Sequence, residues 1–319
     1  MKIEILRENL ERAIALVSRV SNKSLSLPVL GCVVFVVDGV KAVVRATNLD
    51  VSMEATLKAK VFSPGVVAVP AHVMAQTVAA LTDQKLTLEL KGSTLSIVGE
   101  RGTTSITTTD SSEFPTLPYV KEGEGASATI GAKEFTSALR SVSFAASTSS
   151  VKPELAAVSL SLERGELVAA ATDSFRLAEV KIPIKTKTGF SAILIPARNV
   201  ADIMRAVESS EVVEVRVGEN QCTCVAEFGF ITARTVDGAF PDYHAIIPKA
   251  FVAEATCLTE DAERAFKKIA IFTDAYNQVH LSVKPSDKTF TVSAVNASVG
   301  ETVDRVPGAL EGEDVDMNF

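Results

Sequence analysis

The chain has 319 residues and a formal net charge of −7; 47% of the residues are hydrophobic, 6% are aromatic and none is tryptophan. This length allows two or three domains with aliphatic cores, and four cysteines without a CxxC pair exclude a disulfide scaffold and predict reduced thiols. The acidic balance argues against nucleic-acid binding if the charge is averaged over the whole surface.

Hydrophobic spacing predicts five helices, at residues 8–21, 71–81, 132–146, 197–207 and 260–272, with alternating strands between them. Residues 29–37 form the longest apolar run and are predicted as a buried strand, since a membrane span needs about 20 such residues. The alternating start of the chain is unlike a secretory signal. The sequence therefore predicts a cytoplasmic protein of the α+β class.

The same order of elements returns about every 125 residues. Residues 43–48 (VVRATN) recur at 168–173 (VAAATD) and at 292–296 (VSAVN), and a strand ending in Pro-Ala recurs at 70–71 and 196–197. A Phe-Pro pair marks residues 114–115 and 240–241. We therefore predict two complete domains, 1–123 and 126–250, and a partial third domain, 252–319.

Cations occupy one face of four of the five helices when the residues are placed 100° apart. Expected inward residues include Val200, Met204 and Val207 on the fourth helix and Phe266 and Ala270 on the fifth. One such cationic face is usually only solvated, but four in an acidic chain favour a phosphate-binding surface. No aromatic residues interleave with the cations, which favours duplex over single-stranded DNA. The candidate DNA-binding residues are Arg12, Arg19, Lys23, His72, Lys133, Arg140, Lys152, Arg198, Arg205, Arg264 and Lys268.

Four short segments resemble a known family, the bacterial sliding clamp or β subunit of DNA polymerase III. They are residues 27–31 (LPVLG), 46–49 (ATNL), 171–178 (ATDSFRLA) and 238–243 (GAFPDY), and the resemblance covers the whole chain. It implies a non-catalytic subunit without metal or cofactor, which dimerises head to tail into a ring with helices inside and sheets outside. The implied partners are duplex DNA, the polymerase III catalytic subunit, the clamp loader and other proteins with a clamp-binding motif.

The resemblance also implies two protein interfaces. A partner-peptide pocket between domains two and three would be formed by Leu155, Thr172, Ser174, Phe175, Arg176, Leu177, Pro241 and Ile246. Phe175 departs from the His or Arg that is common in the family, and Arg176 is the member least explained by packing. The ring-closing contact would join Thr104 and Ile106 of domain one to Ala270 and Ile271 of domain three.

Family members continue beyond the point that corresponds to Phe319, through a further helix and closing strands. A half domain exposes a sheet edge and part of its core, so the third domain is expected to be unstable or to recruit another chain. The alternative to the ring is a truncated clamp-like interaction protein, or a fragment, that does not close a ring.

Local motifs raise two further functions, a serine acyl-enzyme and a metal site. Ser149 and Lys152 fit the SxxK pattern and residues 187–189 fit KTG, but the third element of such serine acyl-enzymes, SDN, is absent. Cys222 and Cys224 fall on the repeat positions of Leu95 and Ile97, which are inward strand positions, and the three histidines lack ligand spacing. The sequence therefore favours neither an acyl-enzyme nor a metal site.

Overall fold

The structure is a computed structural model that describes residues 1–21, 27–185 and 189–319. The first repeat contains β1 (Lys2–Leu6), α1 (Arg7–Val17), β2 (Cys32–Asp38), β3 (Lys41–Thr47), β4 (Val51–Thr56), β5 (Ala59–Ser63), β6 (Gly65–Pro70), α2 (Ala71–Ala80), β7 (Lys85–Lys91), β8 (Thr94–Val98) and β9 (Thr103–Thr107).

The second repeat contains β10 (Ala126–Gly131), α3 (Ala132–Ser143), β11 (Ala157–Glu163), β12 (Glu166–Thr172), β13 (Leu177–Pro183), β14 (Phe190–Pro196), α4 (Ala197–Val207), β15 (Val212–Val217), β16 (Gln221–Ala226) and β17 (Gly229–Arg234). The remaining elements are β18 (Ala253–Cys257), α5 (Thr259–Ile269), β19 (His280–Lys284), β20 (Thr289–Asn296), β21 (Gly300–Arg305), β22 (Gly308–Gly312) and β23 (Val315–Asn318).

Strand pairing confirms that the three segments are repeats of one clamp-like α+β arrangement. The strand orders β4-β3-β2-β6, β13-β12-β11-β14 and β21-β20-β19-β23 are the same when corresponding strands are compared. In the same way β1 pairs with β5, and β18 pairs with β22. The sequence offset near 125 residues therefore reflects a repeated topology as well as repeated motifs.

The described residues form two compact units, Met1–Phe240 and Pro241–Phe319. Within the first unit, β17 pairs antiparallel with β4, from Gly229 opposite Ala55 to Ala233 opposite Val51. This pairing joins the first two repeats into one eight-stranded sheet. We call it the seam.

Helices lie on one face of this eight-stranded sheet, and we call the surface that the helices of the first unit present to solvent the helical face. α1 packs on β3 and β4, and α4 packs on β16 and β17, on either side of the seam. Met53 of β4 is opposite Ile231 of β17, and both belong to the same buried cluster as Leu10 of α1 and Ile203 of α4. Because paired residues of antiparallel strands share a face, α1 and α4 cover the same side of the sheet.

The second unit has a smaller core of its own. Ile269 of α5 packs with Phe290, Val292 and Ala294 of β20 and with Val306. Among the described strands, β18 has β22 as its one neighbour, so its other edge is unpaired. Large apolar side chains are exposed in this unit, including Phe251, Ile271, Tyr276, Val303 and Phe319.

Several local predictions were wrong. Residues 28–31 form a short 3₁₀ turn instead of the start of a strand, because Pro28 sets a turn closed by the bond from the Leu30 N–H to the Leu27 carbonyl, 3.0 Å. Helices α1, α3 and α5 each end three or four residues before the predicted residue. At the end of α1, for example, the Val20 N–H bonds to Val17, which tightens the chain into a turn.

Two inward faces also differ from expectation. On α5 the buried residues are Ala265 and Ile269, whereas Phe266 is 43% exposed and Ala270 is exposed. The apolar stripe is therefore rotated by one residue. On α4 Val200 and Val207 are buried as predicted, but Met204 is only half-buried and its neighbour Ile203 is buried instead.

Candidate functional site

The predicted cations that the structure describes are exposed, and most of them lie on helices. Arg12 on α1, Lys133 on α3 and Arg198 on α4 are all exposed, and the buried residues of each helix lie opposite. Arg19 is also exposed, in the turn that follows α1. The other exposed members are His72, Arg140, Lys152, Arg205, Arg264 and Lys268. Lys23 lies outside the described residues.

Some of these cations are already engaged by carboxylates. In the first unit the pairs are Arg140–Glu208 at 3.4 Å, Arg198–Asp50 at 3.2 Å and Arg205–Asp202 at 2.8 Å. In the second unit they are Arg264–Asp261 and Lys268–Asp304, both at 3.5 Å. Exposed pairs of this kind contribute about 0–1 kcal/mol each, so a phosphate can compete for the cation, but the carboxylate reduces the local positive potential.

Four of the cations have no such partner. Within the described ranges, no carboxylate oxygen lies within 4.0 Å of Arg12, Arg19, Lys133 or Lys152. Helical periodicity could not separate these from Arg140 and Arg198, because their partners Glu208 and Asp50 belong to distant parts of the sequence. Arg12, Arg19 and Lys133 are therefore the strongest phosphate-binding candidates on the helical face, and Lys152 is a further candidate in the loop after α3.

α2 contributes a polar rather than a cationic surface. His72 is exposed and lines a hollow with Ser18, Ser21 and Gly31, next to the end of α1. Gln76 is exposed one turn further along α2. This helix can therefore donate hydrogen bonds but adds little charge to the face.

One turn occurs in the same form in both complete repeats. In the first repeat Leu49 has φ 76°, its N–H bonds to Thr47 Oγ1 at 3.0 Å, and Asn48 Oδ1 accepts the N–H groups of Asp50 and Val51. Such a turn is stabilised by the side chain rather than by a strand partner.

In the second repeat Ser174 has φ 79° and its N–H bonds to Thr172 Oγ1 at 3.2 Å. Asp173 Oδ1 takes the place of the Asn48 oxygen and accepts the N–H groups of Phe175 and Arg176, both at 3.0 Å. The match between ATN and ATD is the sequence signal for this shared geometry.

The second turn presents Phe175, which is 99% exposed. Arg176 directly precedes β13. Its Nε donates to Asp173 Oδ2 at 3.0 Å, and its guanidinium carbon lies 5.9 Å from the centre of the Phe144 ring. The Arg176 backbone N–H, followed by other hydrogen bonds and the Arg176 charge, lowers the pKa of Asp173.

The other predicted peptide-binding residues differ in exposure. Leu155 and Thr172 are 7% and 9% exposed, and Leu177 is half-buried. Pro241 and Ile246 belong to the second unit and are exposed there. The first unit alone therefore presents an apolar and cationic patch around the Asp173 turn.

The predicted dimer residues lie on β9 and at the end of α5. β9 is an edge strand of the sheet β5-β1-β7-β8-β9. Ile106 is 5% exposed and packs in the core opposite Leu95, whereas Thr104 is half-buried. In the second unit Ala270 and Ile271 are exposed. The backbone edge of β9 is therefore unpaired among the described strands, whereas the Ile106 side chain belongs to the core.

The described residues that could suggest an acyl-enzyme or a metal site lie in an exposed loop or in a buried strand. Ser149 and Lys152 are exposed in the loop before β11, and Lys187 lies outside the described residues. Cys222 and Cys224 are buried in β16, as Leu95 and Ile97 are in β8; the hydrogen bond with Cys222 and then burial raise the pKa of the Cys224 thiol. In the described part of the chain no three His, Cys, Asp or Glu residues are grouped to hold a metal ion.

A cavity of about 700 Å³ lies on the sheet face that points away from the helices. Glu54 is nearly buried there, and its carboxylate binds Arg45 at 2.7 Å and Lys41 at 3.2 Å. Both cations are therefore engaged. No helix among the described residues is long and apolar enough to cross a membrane.

Comparison with known proteins gives two family matches. Residues 1–118 match the DNA polymerase III beta subunit N-terminal domain, and residues 129–242 match the central domain. The beta sliding clamp of Synechococcus elongatus is 27% identical, over 100% of this chain and 87% of that protein. The beta sliding clamp of Caulobacter vibrioides is 26% identical with the same coverage.

Solved structures show the same fold. The DNA polymerase sliding clamp of Bacillus subtilis superposes with a TM-score of 0.92 at 22% identity, covering 100% of this chain and 87% of that one. The beta subunit of DNA polymerase III from Thermotoga maritima gives a TM-score of 0.90 at 23% identity, with 100% and 86% coverage.

Proposed function

Since the chain belongs to the family of DNA polymerase III beta subunits, the bacterial sliding clamps, we propose that it is a processivity factor that encircles duplex DNA and tethers a polymerase to it. The observation that carries this proposal is the helical face of the first unit, where Arg12, Arg19 and Lys133 are exposed, with Lys152 exposed in the loop after α3. Within the described ranges none of these four cations has a carboxylate partner. In this role the protein performs no catalysis itself and works in the cytoplasm, where the DNA is.

A positive face on an acidic protein suits sliding. Lys and Arg that contact phosphates bind DNA without reading its sequence, and the strength of binding falls as salt rises. The net charge of −7 keeps the rest of the surface repulsive to DNA. A ring holds DNA by topology, so its phosphate contacts can remain weak enough to permit movement.

The ring would form from two chains arranged head to tail. The free backbone edge of β9, near Thr104, would meet the end of α5, where Ala270 and Ile271 are exposed. In this ring each chain would contribute three domains, residues 1–123, 126–250 and 252–319.

The Asp173 turn would receive partner peptides. Phe175 offers an exposed ring, Leu177 adds apolar surface, and the Arg176 guanidinium can bind peptide carbonyls or a carboxylate. Pro241 and Ile246 remain assigned by the family resemblance alone. The expected occupants are the polymerase III catalytic subunit, the clamp loader and other proteins that carry a clamp-binding motif.

Charge replacement tests the helical face. In the triple variant Arg12→Ala, Arg19→Ala and Lys133→Ala, we expect the affinity for a short linear duplex to fall, and the slope of log K against log salt to become shallower by about 0.9 for each lost contact. A short duplex has open ends through which a closed ring can thread.

The matched control is Lys41→Ala with Lys60→Ala and Lys91→Ala, which removes the same charge from positions on strands. Affinity and salt slope close to those of the wild type are expected for this control. Equal losses in the two triple variants would mean that net charge alone matters, and the helices would then not form the DNA-facing surface.

A further inference from the structure

A cleft of about 140 Å³ opens at the seam between the first two repeats. Residues from both repeats line it. They include Asn9 and Arg12 of α1, Lys58 after β4, Ser209 and Ser210 after α4, and Glu227 in the turn between β16 and β17. Because α1 and α4 cover the same side of the eight-stranded sheet, this cleft lies on the helical face.

The backbone around Lys58 is fixed by the seam. The Thr56 N–H donates to the Phe228 carbonyl at 2.8 Å, and the Leu57 N–H donates to the Ala42 carbonyl at 2.9 Å. Leu57 is 4% exposed and belongs to the core, so the next side chain, Lys58, points to solvent.

Arg12 is held in a similar way. It precedes Ala13, which is 5% exposed, belongs to the core and forms part of the wall of the cleft. Both cations therefore extend from backbone that is anchored by a buried neighbour. Little backbone freedom therefore remains to be lost when they bind a ligand.

The charges in the cleft are unbalanced. Arg12 and Lys58 have no carboxylate oxygen within 4.0 Å in the described part of the chain, and Glu227 is the one carboxylate in the lining. Asn9, Ser209 and Ser210 add groups that can donate hydrogen bonds. Two cations, one carboxylate and neutral donors suit a singly charged anion with several oxygen atoms.

We propose that this cleft binds a backbone phosphate of duplex DNA between Arg12 and Lys58. The inference rests on the proposed function, because that function brings duplex DNA to the helical face. A cleft of about 140 Å³ has room for a phosphate group with ordered water, since one water takes about 30 Å³ of liquid volume. Lys58 is then a DNA contact that lies outside the helices, and Glu227 weakens the contact by repulsion.

The test measures affinity for a short linear duplex over a range of salt concentrations with the full chain. Lys58→Ala is expected to weaken binding about 3- to 10-fold and to reduce the salt slope by about 0.9. Glu227→Gln is expected to strengthen binding about 1.5- to 5-fold, since it removes one exposed repulsion. The matched control is Lys60→Ala, because Lys60 is exposed nearby on β5 with its Nζ 5.1 Å from the centre of the Phe62 ring.

The outcomes separate this proposal from the proposed function. If Lys58→Ala binds like the wild type while Arg12→Ala and Arg19→Ala lose affinity, the cleft does not hold a phosphate and the helical face still does. Equal losses for Lys58→Ala and Lys60→Ala also overturn the cleft, because net charge then explains both. If no cation variant loses affinity, the DNA-facing surface itself is wrong, and the cleft with it. A Glu227→Gln variant that binds more weakly contradicts the proposed repulsion.

Discussion

Asp173 shows how one carboxylate organises a surface. Its two oxygens accept the N–H groups of Phe175 and Arg176 and the Arg176 side chain. Asn48 shows that an amide oxygen supports the same turn in the first repeat. The turn needs the oxygen acceptor, whereas the ion pair with Arg176 needs the charge.

Replacing Asp173 separates these two roles. Asp173→Asn is expected to keep the turn, and Asp173→Ala to lose it, which NMR chemical shifts of the Phe175 and Arg176 amides would report. Because the folded state lowers the pKa of Asp173, its contribution to stability is full above the unfolded pKa and is lost as the pH falls through the folded pKa.

The acid-induced shift change at these amides should therefore be present in the wild type and absent in Asp173→Asn. The assignment of the turn to Asp173 fails if Asp173→Ala retains the wild-type amide shifts. A wild-type titration in Asp173→Asn would identify another acidic group as the cause.

Residue spacing could predict which cations are exposed, but not which of them pair with a carboxylate from a distant part of the sequence. Spacing identified the exposed positions on α1, α3 and α4, because the 3.6-residue period alone decides which side chains point away from the core. It could not show that Arg198 is held by Asp50 or Arg140 by Glu208, since these pairs form only after distant segments pack. Lys58 was missed for the same reason, because its place beside Arg12 depends on the seam.

The boundaries of helices and strands were predicted best where a proline fixes the position at which one element ends and the next begins. The strands that end at Pro70 and Pro196 lead directly into α2 and α4, as the Pro-Ala marker predicted. The inward face of α5 was predicted less well, because Ala265 and Phe266 are both apolar and only packing on β20 and β21 decides which is buried. Pro28 gave a turn where the surrounding valines favoured a strand.

The seam also depends on a glycine. Gly229 has φ 137°, and a Cβ placed there would lie 2.1 Å from the backbone carbonyl oxygen of Glu54 on β4. Gly39 has φ 56° and open space around it. Both positions disfavour a side chain through their backbone conformation, but only Gly229 also needs close approach between strands.

Alanine substitution at the two glycines tests the seam. Gly39→Ala is expected to lower the free energy of unfolding by about 1–2 kcal/mol through its left-handed backbone. Gly229→Ala should cost about 1–3 kcal/mol beyond that, because the new methyl group overpacks the seam. Urea denaturation followed by circular dichroism measures both, since the chain lacks tryptophan. Equal losses at the two positions would show that β4 and β17 do not need this close contact.

The distribution of charge over the whole molecule explains why composition alone was misleading. A chain with a net charge of −7 still presents Arg12, Arg19 and Lys133 to solvent, with no carboxylate oxygen within 4.0 Å in the described part of the chain. The repeated topology makes this possible, since each repeat adds a helix in the same position relative to its strands. We therefore expect a ring whose inner surface is positive and whose outer surface is not.

Closure of a ring by two chains is tested by the mass of the protein in solution. Light scattering across a wide range of protein concentration should give a mass near twice the 33.8 kDa of one chain. Dissociation at the lowest concentrations would agree with this account, because the head-to-tail contact is then a reversible equilibrium. A mass of one chain at every concentration would contradict the ring and would favour a clamp-like interaction protein that does not encircle DNA.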